Sequence, residues 1–171
     1  QKAFQEYLKE KFHGDIGELN RAYWTTFWSH TYDRFDQIEP PGALTETGIH
    51  GLNLDWKRFI TRQTISFIEN EIAPIREHCP HLPVTTNMMY EFTDLDYHKV
   101  AQVLDFASWD SYPEWHNGDD TVIAQRAAFW HDVYRSLKQK PFLLMESTPS
   151  LVNWKPYNKP KAPGLDTLSS L

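Results

Sequence analysis

The sequence lacks several features that mark common classes of protein. It holds a single cysteine, Cys79, which excludes an internal disulfide framework and favours a reducing compartment. No apolar run approaches the roughly 18 residues that a membrane-spanning helix needs, and no basic or Ser-rich leader is visible. The chain has 17 Lys and Arg and 23 Asp and Glu, which gives a net charge of -6. A negative net charge does not favour binding to the negatively charged backbone of a nucleic acid. We therefore expect neither a nucleic-acid nor a membrane partner.

Aromatic residues are the informative excess. Seven Trp, eight Tyr and ten Phe make up 15% of the chain, and several stand at the ends of predicted elements. A pyranose stacks its C–H face on an aromatic ring while its hydroxyl groups take directed hydrogen bonds, so such rings suit sugar recognition. Core packing remains the alternative for most of them.

Hydrophobic periodicity predicts helices in the first half of the chain. One helix is expected over residues 2–12, a second after an N-cap at Asp15, and a long third one from Trp56 to about residue 78. The proline-containing stretch 40–53 is predicted to be an irregular connection.

The second half changes to short apolar runs alternating with helices. Strands are predicted at 82–87, 105–110 and 141–146, with a helix at 96–104 and another capped by Asp119. Little polar alternation indicates strands buried on both faces, as in parallel βα units. Three such units fit a section of an eight-stranded βα barrel or of an open doubly wound sheet. With only seven glycines and no Gly-rich loop after a strand, a nucleotide-binding sheet is disfavoured.

The ends of the chain predict that it is incomplete. It begins at Gln1 inside a helical pattern and stops after a proline-broken tail. We therefore expect residues 1–171 to be a section of one catalytic domain.

The predicted strand ends bring together groups suited to a sugar site. In βα folds, functional groups collect past the carboxyl ends of the strands, here Asn87, then Trp109, Asp110 and Tyr112, then Glu146. Cleavage of a glycosidic bond needs two carboxyl groups, and a strand end holds one rigidly. The alternative is that Glu146 caps a following helix or pairs with a lysine.

Four motifs taken together resemble glycoside hydrolase family 42, the β-galactosidases. They are LNRAYWTTFWSHTYDRF at 19–35, TNMM at 86–89, DYHKVAQVLDFASWDSYP at 96–113 and PFLLMESTPSLVNW at 141–154. The resemblance covers almost the whole chain and implies an α/β fold, a partial (β/α)8 TIM barrel running from roughly the helix after strand 4 through strand 7. It also implies retaining hydrolysis of terminal β-galactosides in a bacterial, cytoplasmic protein that is a homo-oligomer, typically a trimer.

The resemblance assigns roles residue by residue. Glu146 matches the catalytic nucleophile, and Trp154 matches a tryptophan that lines the galactose subsite. Tyr112 matches a tyrosine beside the nucleophile, whereas Asn87, Trp109 and Asp110 lie in matching motifs and are predicted to contact substrate. The family's acid/base glutamate precedes Gln1, so this chain alone is expected to be inactive. No cofactor and no metal ligand is predicted, and His78, Cys79 and His81 are interpreted as a polar loop.

Two rival functions stay open. A noncatalytic carbohydrate-binding module would use the aromatic rings without cleaving a bond, and Glu146 would then be dispensable. Another retaining β-glycosidase would share the barrel and the nucleophile but act on a different sugar.

Overall fold

The computed structural model describes residues 1–42, 48–89, 92–114 and 118–147. The chain divides into two compact units, one of residues 1–67 with 93–96 and the other of residues 68–92 with 97–171. One long helix contributes to both units, and the strands belong to the second.

The first unit is helical. It contains α1 (Lys2–Lys11), α2 (Ile16–Tyr23), a 3₁₀ turn (Phe35–Gln37) and the start of α3 (His50–His78). The predicted cap of α2 is confirmed, since Asp15 Oδ1 accepts a hydrogen bond of 3.0 Å from the Glu18 amide.

The predicted irregular connection is wrong for residues 50–53, where α3 already begins. Ile49 and Leu52 are completely buried, and their packing in the core favours an earlier helix start than periodicity indicated. The first turn of α3 has room only for a glycine at position 51, because the ring of Tyr23 lies against it. A Cβ at that position would come within 2.9 Å of Tyr23 Cε1.

A buried carboxylate joins the helices of this unit. Asp55, on α3, is 1% exposed and accepts from Lys11 Nζ at 2.5 Å, Arg58 Nη1 at 3.0 Å and the Tyr23 hydroxyl. We call this set the Asp55 cluster. Tyr23 also belongs to the apolar core of this unit, which includes Phe4, Leu8, Leu19, Ile38, Ile49 and Leu52.

The second unit contains a parallel sheet with helices. Its elements are β1 (Asn87–Met88), α4 (Tyr97–Gln102), β2 (Ser108–Ser111), α5 (Asp120–Lys138) and β3 (Leu143–Ser147). The strand order is β1-β2-β3, and both pairings are parallel. The predicted alternation of strands and helices is confirmed. So is the cap of α5, where Asp119 accepts from the Thr121 and Val122 amides.

The strands begin later than predicted, and β1 keeps only two residues. Before it, isolated bonds replace a regular ladder: the Asp105 amide donates to Val84 O at 2.9 Å, and Thr85 Oγ1 donates to Phe106 O at 2.8 Å. The segment 82–86 is therefore held beside β2 without forming a strand over its whole length.

Burial on both faces holds for β2 but is wrong for β1, where Asn87 is exposed, and for β3. All four residues of β2 are buried, whereas Leu143 and Met145 of β3 are 45% and 40% exposed. The reason is position, since β3 is hydrogen-bonded to β2 on one side and has no neighbour on its other side among the described residues.

Candidate active site

Side chains of β2 alternate between two faces of the sheet. The ring of Trp109 stacks on Tyr134 of α5 with a centroid distance of 5.0 Å and an interplanar angle of 8°. It also makes a T-shaped contact with His131 at a centroid distance of 5.2 Å. At 1% exposure, Trp109 packs the sheet against α5. The neighbouring Asp110 consequently belongs to the opposite face, which we call the inner face.

The inner face is a ladder of polar side chains between β1 and β2. Thr85 Oγ1 and Ser108 Oγ are 3.0 Å apart, and Asn87 Nδ2 donates to Asp110 Oδ2 at 2.8 Å. Asn87 is exposed, whereas Asp110 is only 3% exposed. Within the described part of the chain, the second oxygen of Asp110 (Oδ1) is buried without a hydrogen-bond partner.

A β-bulge decides which face Glu146 occupies. Trp109 pairs with Leu144, but the next pair joins Asp110 to Glu146, so Met145 is one extra residue on β3. In an unbulged strand Glu146 would share the helix-facing side of Leu144, because side chains alternate with a period of two. The extra residue turns Glu146 to the inner face, beside Asp110.

Tyr112 and Glu146 meet at the carboxyl ends of β2 and β3. The Tyr112 hydroxyl donates a hydrogen bond to Glu146 Oε2, across 34 residues of sequence. Glu146 is otherwise exposed, so its carboxylate is accessible to a ligand. Asn87, Asp110, Tyr112 and Glu146 thus lie on the inner face in two hydrogen-bonded pairs, Asn87 with Asp110 and Tyr112 with Glu146. Of the other predicted site residues, Trp109 packs against α5, and Trp154 lies outside the described residues.

Two tyrosines that sequence reasoning missed hold the end of β1. The carbonyl oxygen of Met89 accepts from the Tyr134 hydroxyl at 2.9 Å and from the Tyr97 hydroxyl. Burial, followed by the influence of Tyr97 and Asp110, raises the pKa of Tyr134 above its usual value, so this hydroxyl stays a donor at neutral pH. Tyr134 recurs at helical spacing with Ala127 and Trp130, and such periodicity carries no sign of this bond.

A separate cleft of about 190 Å³ lies between the end of β2 and α5. Its walls include Ser111, Tyr112, Glu114, Arg126 and Trp130. It is adjacent to Tyr112, but Glu146 is not among the residues that line it. The cleft therefore belongs to the helix-facing side of the sheet.

Neither a metal centre nor a membrane span is found in the described ranges. There, no three His, Cys, Asp or Glu side chains are close enough to hold a metal ion together. No described helix combines the length and apolarity needed to cross a bilayer.

Comparison with known proteins gives one consistent family. The family model described as β-galactosidase, of glycoside hydrolase family 42, matches residues 1–171. The chain is 53% identical to β-galactosidase GalA of Bacillus licheniformis and 52% identical to β-galactosidase GanA of Bacillus subtilis, in each case over all of this chain and 27% of the relative.

Solved structures agree with the sequence relatives. A catalytic mutant of a family 42 β-galactosidase from G. stearothermophilus is 56% identical, with a TM-score of 0.89 over 99% of this chain and 26% of that one. A β-galactosidase from Rahnella sp. R3 is 52% identical, with a TM-score of 0.91 over 99% of this chain and 25% of that one. The chain therefore spans about a quarter of the length of these relatives.

Proposed function

The chain belongs to the β-galactosidases of glycoside hydrolase family 42, and from this premise we propose that it is the part of a longer enzyme that supplies the catalytic nucleophile. In this proposal residues 1–171 are an incomplete section of one TIM-barrel domain, from the helix after strand 4 through strand 7. We call the longer protein the parent enzyme. Its substrate is a terminal β-D-galactoside.

The contact between Tyr112 and Glu146 is the observation that carries the proposal. A nucleophilic carboxylate must be accessible, held in one orientation and placed at the carboxyl end of its strand. Glu146 is exposed, accepts the Tyr112 hydroxyl and is turned inward by the Met145 bulge. These features favour a catalytic role over helix capping or a lysine pair.

The chemistry proceeds by double displacement. A Glu146 oxygen forms a bond to the anomeric carbon as the bond from that carbon to the leaving oxygen breaks. A second glutamate, outside this chain, gives its proton to the leaving oxygen. That glutamate then takes a proton from water, whose oxygen displaces Glu146 and releases galactose with retained configuration. The two carboxyl groups are expected to stand about 5 to 5.5 Å apart.

The other predicted residues take different parts in the proposal. Trp154 lines the galactose subsite, and Tyr112 orients the nucleophile. Because Trp109 is stacked on Tyr134 and buried, we assign it to packing of the sheet on α5. No cofactor enters the reaction. We further propose that the parent enzyme is cytoplasmic and forms a homo-oligomer. Light scattering of the parent enzyme tests its oligomeric state.

Replacement of the nucleophile tests the function. In the parent enzyme, Glu146→Gln should reduce turnover of nitrophenyl β-galactoside by several orders of magnitude and leave galactose binding nearly unchanged. Glu69→Gln, at an exposed position on α3, is the matched control and should retain full turnover. Wild-type turnover in Glu146→Gln would exclude the nucleophile assignment.

Two further measurements separate the rivals. A 2-fluorogalactoside should label the parent enzyme covalently, and peptide mapping should place the label on Glu146; a label elsewhere would contradict the mechanism. Comparison of nitrophenyl galactoside, glucoside and mannoside should show the highest kcat/KM for the galactoside. Equal or higher values for another sugar would favour a different β-glycosidase.

A further inference from the structure

The amide of Asn87 has only one orientation compatible with its neighbour. Asp110 Oδ2 lies 2.8 Å from the amide, and a carboxylate oxygen accepts hydrogen bonds at neutral pH. Asn87 must therefore turn Nδ2 toward Asp110, which leaves its carbonyl oxygen, Oδ1, directed elsewhere. Described residues form no hydrogen bond to that oxygen. The result is an oriented hydrogen-bond acceptor on an exposed side chain.

Burial divides the two residues into different roles. Asp110 is 3% exposed, so a substrate cannot reach it, whereas Asn87 is exposed on the same inner face as Glu146. Asn87 lies on β1, two strands away from Glu146 on β3, which corresponds to roughly 10 Å between strand axes. For Asn87 to contact a sugar whose anomeric carbon is at Glu146, the sugar hydroxyl groups have to lie over this intervening part of the face.

We propose that Asn87 determines sugar specificity by accepting a hydrogen bond from one substrate hydroxyl, and that Asp110 is the positioning residue that fixes the Asn87 amide. This inference rests on the proposed function and separates two residues that the sequence motifs grouped as substrate contacts. Asp110 acts on substrate recognition only through Asn87. The ligand group is a hydroxyl that donates a hydrogen bond to Asn87 Oδ1. A substituent that can only accept hydrogen bonds does not replace it.

A double-mutant cycle in the parent enzyme tests the positioning role. Asn87→Ala should lower kcat/KM for nitrophenyl β-galactoside about tenfold, as expected for one lost hydrogen bond. The near-isosteric Asp110→Asn lets the Asn87 amide rotate and should cause a loss of about threefold to tenfold. The double variant should match Asn87→Ala, because Asp110 has nothing left to orient.

Multiplying effects in the double variant would overturn the positioning role, since Asp110 would then act independently of Asn87. Asn70→Ala, at an exposed position on α3, is the matched control and should keep wild-type kcat/KM. Thermal unfolding of each variant separates a folding defect from a change in recognition. If Asn87→Ala unfolds early, Asn87→Ser replaces it in the cycle.

Modified substrates test which group Asn87 recognises. Across monodeoxy nitrophenyl galactosides, and deoxyfluoro ones other than the 2-fluoro trapping reagent, one position should make wild type and Asn87→Ala equally fast. Fluorine should behave like hydrogen there, because fluorine cannot donate a proton. A tenfold difference that persists at every position would overturn the sugar contact. Wild-type hydrolysis with an unaffected Asn87→Ala variant refutes this inference alone, whereas an inactive wild type refutes the proposed function with it.

Discussion

Removal of the Asp55 carboxylate should loosen the helical unit of the parent enzyme. Asp55→Ala deletes the acceptor shared by Lys11, Arg58 and Tyr23. Two of these donors can form hydrogen bonds with water instead, because the Lys11 and Arg58 side chains are 36% and 51% exposed. Tyr23 cannot, since it is 6% exposed and its hydroxyl would remain buried without this acceptor.

The expected loss follows from this difference between the donors. A buried polar group left without its partner costs about 1 to 3 kcal/mol. The two ion pairs are discounted for solvent screening and together add about 1 kcal/mol. We therefore expect Asp55→Ala to lower the free energy of opening of α1 and α3 by about 3 kcal/mol. Adding Tyr23→Phe should recover part of this loss, because the buried hydroxyl is then absent.

The pH dependence of this stabilisation has a defined sign. Burial raises the pKa of Asp55, but the hydrogen bonds from Lys11, Tyr23 and Arg58 outweigh it and hold the pKa below its usual value. In the unfolded chain the carboxylate of an aspartate takes up a proton near pH 3.9. A lowered folded-state pKa contributes stability that is complete above about pH 4 and is lost as the pH falls further. The difference between wild type and Asp55→Ala should therefore be constant from pH 5 to 8.

Hydrogen exchange measured by mass spectrometry provides the assay, because it reports the opening of α1 and α3 separately from the rest of the parent enzyme. Asp36→Ala is the control, since Asp36 pairs with Arg34 at 3.0 Å with both side chains about two-thirds exposed. It should change the free energy of opening by less than about 0.5 kcal/mol. A loss below 1 kcal/mol for Asp55→Ala, or a difference that varies between pH 5 and 8, would refute the reasoning.

Two other substitutions test local features of the fold. Asp119→Ala should reduce exchange protection in the first turn of α5 by about 1 kcal/mol, because it removes the cap, whereas Asp119→Asn should retain it; equal protection in both variants would contradict the capping role. Gly51→Ala should lower the melting temperature despite the higher helix propensity of alanine, since the new Cβ would collide with the Tyr23 ring at an expected cost of about 1 to 3 kcal/mol. Gly42→Ala should be neutral, because no atom of the described residues lies within 4 Å of a Cβ at position 42. A stabilised Gly51→Ala variant would show that the ring moves aside.

Sequence patterns predicted the elements whose signals are local. The caps at Asp15 and Asp119 and the alternation of parallel strands with helices follow from short-range chemistry and periodicity, and the structure confirms them. Glu146 was predicted at a strand end and is found there, beside Tyr112.

The remaining features depend on distant contacts and could not be derived from local patterns. The apolar run around Glu146 gives no sign that Met145 is an extra residue, because a bulge is defined only by pairing with β2. Asp55 precedes the predicted helix start at Trp56, and its local sequence gives no sign that its partners come from three helices. The exposure of β3 likewise depends on which elements cover it rather than on its own hydrophobicity.

The parallel arrangement of β1, β2 and β3 sets the order in which the inner face can form during synthesis. Asn87 reaches Asp110 across 23 residues, and Tyr112 reaches Glu146 across 34, so each contact requires an intervening crossover to be made first. Such non-local closure is slow compared with helix formation. On the ribosome, the helices of the first unit can therefore form before the hydrogen bond between Tyr112 and Glu146 is made.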